Sequence, residues 1–295
     1  MSERDTDARA ALPRIPFGPH RVSRLIVGSN TINAGSHLSR FADLQLREHF
    51  TEERALAHLR RCEEVGIDTW QSGPNNLALL ARHREEGGKL QYISLAHQDP
   101  NDPGLLQRLA NAGAIGIGHH GELTDHLFKV GQVEQVREFC KRVRDTGAQV
   151  GVSTHVPAVV QHVGEHGWDV DFLMCCVYER HRSDEGLKAL LGQVPLPARE
   201  VYLREDPPRM FEAMRNTRQP CLAFKILAAG RLCDSPETVE EAFRDTFAQI
   251  KPSDAAIVGM FPKYEDQPGI NAGLVRRYGT GGEVVARVSG GTGVE

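Results

Sequence analysis

Histidine, cysteine, glutamate and lysine bind transition metals or exchange protons with a substrate, and in this chain they gather at one kind of place. His97, the pair His119 and His120, and His155 each follow a short apolar run, LQYISLA, AIGIG and AQVGVST. A fourth run, VDFLMCCVYE, adds Cys175, Cys176, Tyr178 and Glu179, and a fifth, CLAFKILAAG, carries Lys225. Neutral imidazole, thiolate and carboxylate are the donor types that hold zinc and similar divalent ions. Catalytic metals commonly take three protein ligands and leave one position open. His97, His120 and His155, with Cys175 or Glu179 as a further ligand, supply such a set for zinc, manganese or iron. A lone histidine is more often a hydrogen-bonded surface or core residue. Convergence of three at one rim is what favours the functional reading.

Neighbouring residues on a strand point to opposite faces, so one of His119 and His120, and one of Cys175 and Cys176, is expected to face the site. Lys225 interrupts an apolar run, where an ammonium is costly to bury unless paired or neutral. It can form a Schiff base or clamp a phosphate or carboxylate. Its bland alternative is a stem packed in the core with the amine in solvent. The catalytic candidates are therefore His119, His120, Glu179 and Lys225, with Asn30 and Gln71, which end two further runs, orienting substrate.

The elements that must position these residues follow from the rhythm of the chain. Eight apolar runs recur: RLIVGSN, GIDTWQSG, LQYISLAHQD, AIGIGHHG, AQVGVSTHVP, VDFLMCCVYE, CLAFKILAAG and AAIVGM. Amphipathic stretches such as EERALAHLRRCEEV and VEQVREFCKRVRDTG separate them with helical spacing. Glycine closes several of these before the next run, as in EEVGID and RDTGAQV. Runs that are apolar throughout suit parallel strands covered on both faces. Eight strands alternating with helices predict a single (β/α)8 TIM barrel. A doubly wound open sheet is the alternative, but no GxGxxG turn follows the first run. In a barrel the chemistry sits at the C-terminal strand ends, which is where the candidate residues fall.

The bulk properties set the outer limits. The chain has 295 residues, 40% hydrophobic and 25% charged, with net charge −4. That balance favours neither nucleic acid nor an anionic membrane as a partner and leaves a small-molecule substrate. No apolar run approaches the roughly 20 residues that span a bilayer. The start, MSERDTDARAALPR, lacks the apolar core of a secretory signal, so a cytoplasmic location is expected. Six cysteines without a CxxC pair suggest reduced, buried thiols. Residues 1–13 read as a disordered arm, 14–285 as one domain and 286–295 as a flexible tail.

From about Leu12 to Leu274 the order of elements resembles the aldo-keto reductase family. LPRIPFGPHRVSRLIVGSN resembles its N-terminal hairpin and first strand, CEEVGIDTWQSG its second, QVGVSTHVP its fifth and FKILAAGRL its seventh. AAIVGMFPKYEDQPGIN resembles its last strand and cofactor-side helix. The resemblance implies a barrel fold and an NADP site, but the family's catalytic tetrad is largely replaced. Its aspartate falls on Gln71, its tyrosine on Asn76 and its lysine on Ala96 or His97. Its histidine survives as His119 or His120. Amide side chains cannot stand in for an ionised carboxylate or a phenol. On the cofactor side Ser153 matches the family's serine, with Thr154 in place of asparagine and Cys175 in place of glutamine. Tyr178 would supply the ring that stacks on nicotinamide. Lys225 takes the place of a serine near the pyrophosphate, while Lys263, Gln267 and Asn271 would hold an adenine nucleotide.

These readings converge on an enzyme at a barrel mouth. The expected chemistry is that of a metal-dependent lyase, isomerase or hydrolase on a small polar, sugar-like or hydroxy-acid substrate. Asn30, Gln71, Asn76 and Tyr178 would contact that substrate. A divergent NADPH-dependent reductase and a non-catalytic ligand-binding barrel are the alternatives. Oligomeric state leaves no mark on the sequence.

Overall fold

A computed structural model describes residues 11–99, 101–196 and 200–280. The chain opens with an antiparallel hairpin, β1 (Arg14–Phe17) and β2 (His20–Ser23). Eight parallel strands follow: β3 (Leu25–Gly28), β4 (Thr69–Ser72), β5 (Gln91–Ala96), β6 (Ala114–His119), β7 (Gln149–Thr154), β8 (Phe172–Cys176), β9 (Cys221–Phe224) and β10 (Ala255–Gly259). Each pairs with the next, and β10 returns beside β3 from Ala256–Leu25 to Gly259–Gly28. The sheet is thus a closed barrel. All eight apolar runs are these strands, and the expected TIM barrel with an N-terminal hairpin is the fold.

Both helices read from periodicity form, as Glu52–Glu64 and Glu134–Arg144. Thr51 starts the first by accepting a hydrogen bond from the backbone of Arg54 at 3.3 Å. Gly66 and Gly147, the glycines that follow them, sit at φ +92° and +82°, where a side chain would be strained.

Strand alternation divides the core in two. Ile26, Ile93, Phe172, Met174, Leu222 and Ile257 fill the lumen together with Ile15, Phe17 and Val22 of the hairpin. The hairpin therefore closes the N-terminal end of the barrel. Phe172 needs room there: a β-carbon on Gly151 would lie 2.2 Å from its ring, and one on Gly116 would lie 2.9 Å away. Leu173 and Cys175, on the other face of β8, join the larger cluster between sheet and helices.

Leu12 is buried beside Gly66, and the Pro13 carbonyl accepts from the Arg24 amide at 2.8 Å. The packed body thus begins ahead of the boundary expected at 14. Residues 1–10, the boundary at 285 and the tail 286–295 lie outside the described residues. Among the described residues no helix is long and apolar enough to cross a membrane.

Candidate active site

The C-terminal ends of the strands open into a cavity of about 1060 Å³. Asn30, Gln71, His97, His120, Ser153 and Lys225 line it, so the ends of six strands and the residues after them meet there. Gly230, Ser235, Val239, Gln267 and Asn271, which follow β9 and β10, also line it.

Lys225 does not lie within a strand. β9 ends at Phe224, and Lys225 is the next residue, at φ +62°, with Ala228 and Ala229 also left-handed at +48° and +52°. Side chains enter this region at a cost of about 1 kcal/mol or more, so three in five residues mark a turn held by its surroundings. The Lys225 carbonyl accepts from the Ala228 amide at 2.7 Å within that turn. Its side chain is 8% exposed, and its amine has no hydrogen-bond partner among the described residues. The nearest carboxylate, Glu200, stands 3.9 Å away. Burial, and after it the charge of Arg180, brings the amine down to about 7. Near neutral pH a substantial share of it is the free base, the form that attacks carbonyl carbon.

Next to Lys225 runs a chain of charged hydrogen bonds. Asp125 lies in the helix Gly121–Lys129 and accepts from His155 Nδ1 at 2.7 Å. It also accepts from the His155 amide at 3.1 Å and from the Thr154 hydroxyl. His155 Nε2 lies 3.0 Å from Nη2 of Arg180. Arginine only donates, so Nε2 must carry the lone pair and Nδ1 the proton. Burial keeps the imidazole neutral, pushing it down to about 4 despite Asp125. Arg180 continues to Glu122 at 2.9 Å and to Glu200. Its Nε is buried without a partner among the described residues, as are the hydroxyls of Ser153 and Thr31. Thr31, Glu122, Ser153, His155 and Arg180 line the cavity. The hydrogen bond from His181, helped by Arg180, holds the Glu122 carboxyl well below the usual range. Gly121 keeps this corner open, since a β-carbon there would lie 3.0 Å from the Ser153 hydroxyl and 3.1 Å from the His155 ring.

The structure brings some sequence-selected residues together and separates others. His97 and His120 share a hollow at the rim with Glu122, and burial lowers His120. His119 points outward, as one member of the pair must. Its ring packs 4.8 Å from Phe139, Nδ1 meets the Thr124 hydroxyl at 2.7 Å, and burial lowers it to about 4. Cys175 lies on the helix-facing side of β8, where contact with Cys221 and burial raise its thiol well above the ordinary value. Glu179 is held by Arg182 at 3.2 Å and Arg209 at 2.9 Å, off the cavity wall. The Tyr178 ring packs tilted against that of Tyr202, centroids 5.0 Å apart, and burial raises it to about 12. Asn76 is buried, donating to Asn33 at 2.9 Å and Ser72 at 2.6 Å. Asn30 pairs with His37 at 3.1 Å, and Gln71 donates to the Ser72 carbonyl at 3.1 Å; both remain on the cavity wall.

The expected metal set does not assemble. Cys175 is on the wrong face of its strand, and both ring nitrogens of His155 are engaged, one with a cation. Among the described residues no group of three or more His, Cys, Asp or Glu side chains is arranged to hold a metal ion. For a nicotinamide nucleotide the residues fit in part. Ser153 offers a hydroxyl without a hydrogen-bond partner among the described residues, and Asn271 is buried at the cavity wall. Gln267 also lines the cavity, but its side-chain carbonyl accepts from the Phe261 amide at 2.7 Å. Lys263 is exposed beside Tyr264, off the cavity, and Tyr178 faces Tyr202 instead of the mouth.

Sequence reasoning missed Arg180, Asp125, Glu122 and Glu200. Arg180 directly follows Glu179, so attention to strand ends came within one residue of it. Asp125 sits on a helix that opens at the rim histidines. Glu200 carries no signal beyond being an acid in a loop.

No protein-family model matches the chain, and no curated protein does. Solved structures share its shape. A truncated 3-deoxy-D-arabino-heptulosonate 7-phosphate synthase from Thermotoga maritima is 12% identical, with TM-score 0.52, over 90% of this chain and 91% of that one. A mandelate oxidase variant is 13% identical, with TM-score 0.50, over 92% of this chain and 78% of its own. At these identities the likeness is one of fold: this chain is built as those barrels are.

Proposed function

We propose that the protein is an enzyme in which Lys225 forms an imine with the carbonyl group of a small hydroxylated substrate, in the service of lyase or isomerase chemistry. The observation that carries this reading is the Lys225 amine, buried at the cavity wall without a hydrogen-bond partner among the described residues and brought down to about 7 by that burial. The nitrogen bonds to the carbonyl carbon, its two hydrogens pass to the carbonyl oxygen, and that oxygen leaves as water. Once protonated, the imine draws electrons from an adjacent C–H or C–C bond. His120, kept neutral by burial, stands at the same cavity to take the proton released. The unpartnered Ser153 and Thr31 hydroxyls and Arg180 Nε favour a ligand that brings oxygen acceptors, as a hydroxy-carbonyl compound does. A synthase and an oxidase among barrels of this shape are in keeping with catalytic use of the mouth.

The test is reductive trapping. The protein is incubated with glycolaldehyde, dihydroxyacetone or pyruvate and cyanoborohydride, followed by intact mass and peptide mapping. A single adduct on Lys225, lost in Lys225→Ala with unchanged circular dichroism, is the expected result. A nicotinamide-dependent reductase is the second reading, supported by Ser153 and Asn271 on the cavity wall. Absence of any Lys225 adduct, together with saturable quenching of tryptophan fluorescence by NADPH, would put the second reading in place of the first.

A further inference from the structure

We infer that Glu200 is a positioning residue for Lys225: its carboxylate, fixed by three other loop residues, sets the pH at which the amine becomes free to react. The chemistry it would serve rests on the imine reading above, whereas the titration itself does not.

The geometry is that of a built contact. Glu200 is only 10% exposed, and one of its oxygens stands 3.9 Å from the Lys225 amine, within ion-pair range and beyond a hydrogen bond. The same carboxylate accepts from the Tyr202 hydroxyl at 2.6 Å and from His37 Nδ1 at 3.0 Å, and is paired with Arg180. These partners are themselves anchored. Asn30 meets the other nitrogen of His37, the Arg231 guanidinium lies 4.0 Å over the Tyr202 ring, and Arg180 is tied to Glu122 and His155. Loops after β3, β8 and β9 therefore meet on one acid. A carboxylate so fixed cannot rotate forward to neutralise the amine with a hydrogen bond, yet remains close enough to stabilise its protonated form.

Other groups acting on the amine are Arg180 and Arg231, which oppose its charge, Cys176 and Glu122, which favour it, and His155, whose protonated form it disfavours in turn. Removing the Glu200 charge withdraws a stabilising neighbour and also leaves Arg180 with Glu122 as its remaining counter-ion. Both changes act in the same direction, towards a free amine at lower pH.

Competitive labelling with trace acetic anhydride, read by mass spectrometry from pH 5 to 10, follows the Lys225 amine without any substrate. Glu200→Gln is expected to lower the midpoint by about one pH unit or more, as loss of an opposite charge at this range does. Glu200→Asp, which keeps the charge, should recover most of the shift. Circular dichroism and melting temperature confirm that each variant is folded. A midpoint unchanged or raised in folded Glu200→Gln would overturn the inference, as would equal shifts in both variants. If the native protein gives no imine adduct while the labelling midpoint still falls in Glu200→Gln, the imine reading fails and the role of Glu200 stands.

Discussion

Two costs coincide at Lys225: a left-handed backbone and an amine withdrawn from water. A chain tolerates both only where its surroundings impose them, and here the imposing groups come from other strand ends. Asp125 is the test of that support. It takes the His155 side-chain and backbone protons and the Thr154 hydroxyl. Asp125→Asn leaves buried donors facing an amide and should cost about 1–3 kcal/mol in denaturant unfolding. It should also loosen the His155 tautomer. Nitrogen-15 spectra are expected to show a clean Nδ1–H imidazole in the native protein and a mixture in the variant; identical spectra would remove His155 as the orienting link to Arg180. The sequence displayed Lys225, His120 and Gln71, because each stands in or at the end of an apolar run, and Ser153 through the family resemblance. It hid Asp125 and Arg180, whose meaning is a contact spanning 30 and 25 positions from His155. It also misdirected attention to Cys175, since a strand end alone does not say which face is inward.

The strands were the legible elements, since each must be apolar on both faces and glycines punctuate the helices before them. What periodicity could not supply was the volume each lumen position must hold. β6 and β7 carry glycine at 116 and 151 because β8 sends a phenylalanine across the barrel. Gly151→Ala is expected to destabilise the fold by about 1–3 kcal/mol through overpacking. Phe172→Leu in the same background should recover part of that loss. Urea midpoints for the two single variants and the double variant check it. Strictly additive losses would mean that the glycine is not making room for the ring. The loops were the least legible elements: their lengths are visible, but the long-range pairs that fix them are not.

Among the described residues four imidazoles are buried, His58, His83, His119 and His155; burial lowers all four, and His58, His119 and His155 come down to about 4. In the unfolded chain the same groups take up protons near 6.5. Between those values the unfolded state binds more protons, so stability falls as pH falls through this window. Each unit of separation is worth about 1.4 kcal/mol per group, enough to be felt in a domain of ordinary stability. Melting temperature should decline steadily from pH 6.5 to 4, and His119→Asn should flatten the decline. A constant melting temperature over that range would show that these rings are not neutral and enclosed.

The hairpin that stoppers the floor of the barrel makes the lumen a cul-de-sac. Whatever enters over the rim must back out through the same doorway, so arrival and departure cannot proceed at once through opposite ends. Any molecule lodged at the rim would detain a product as effectively as it turns away the next substrate.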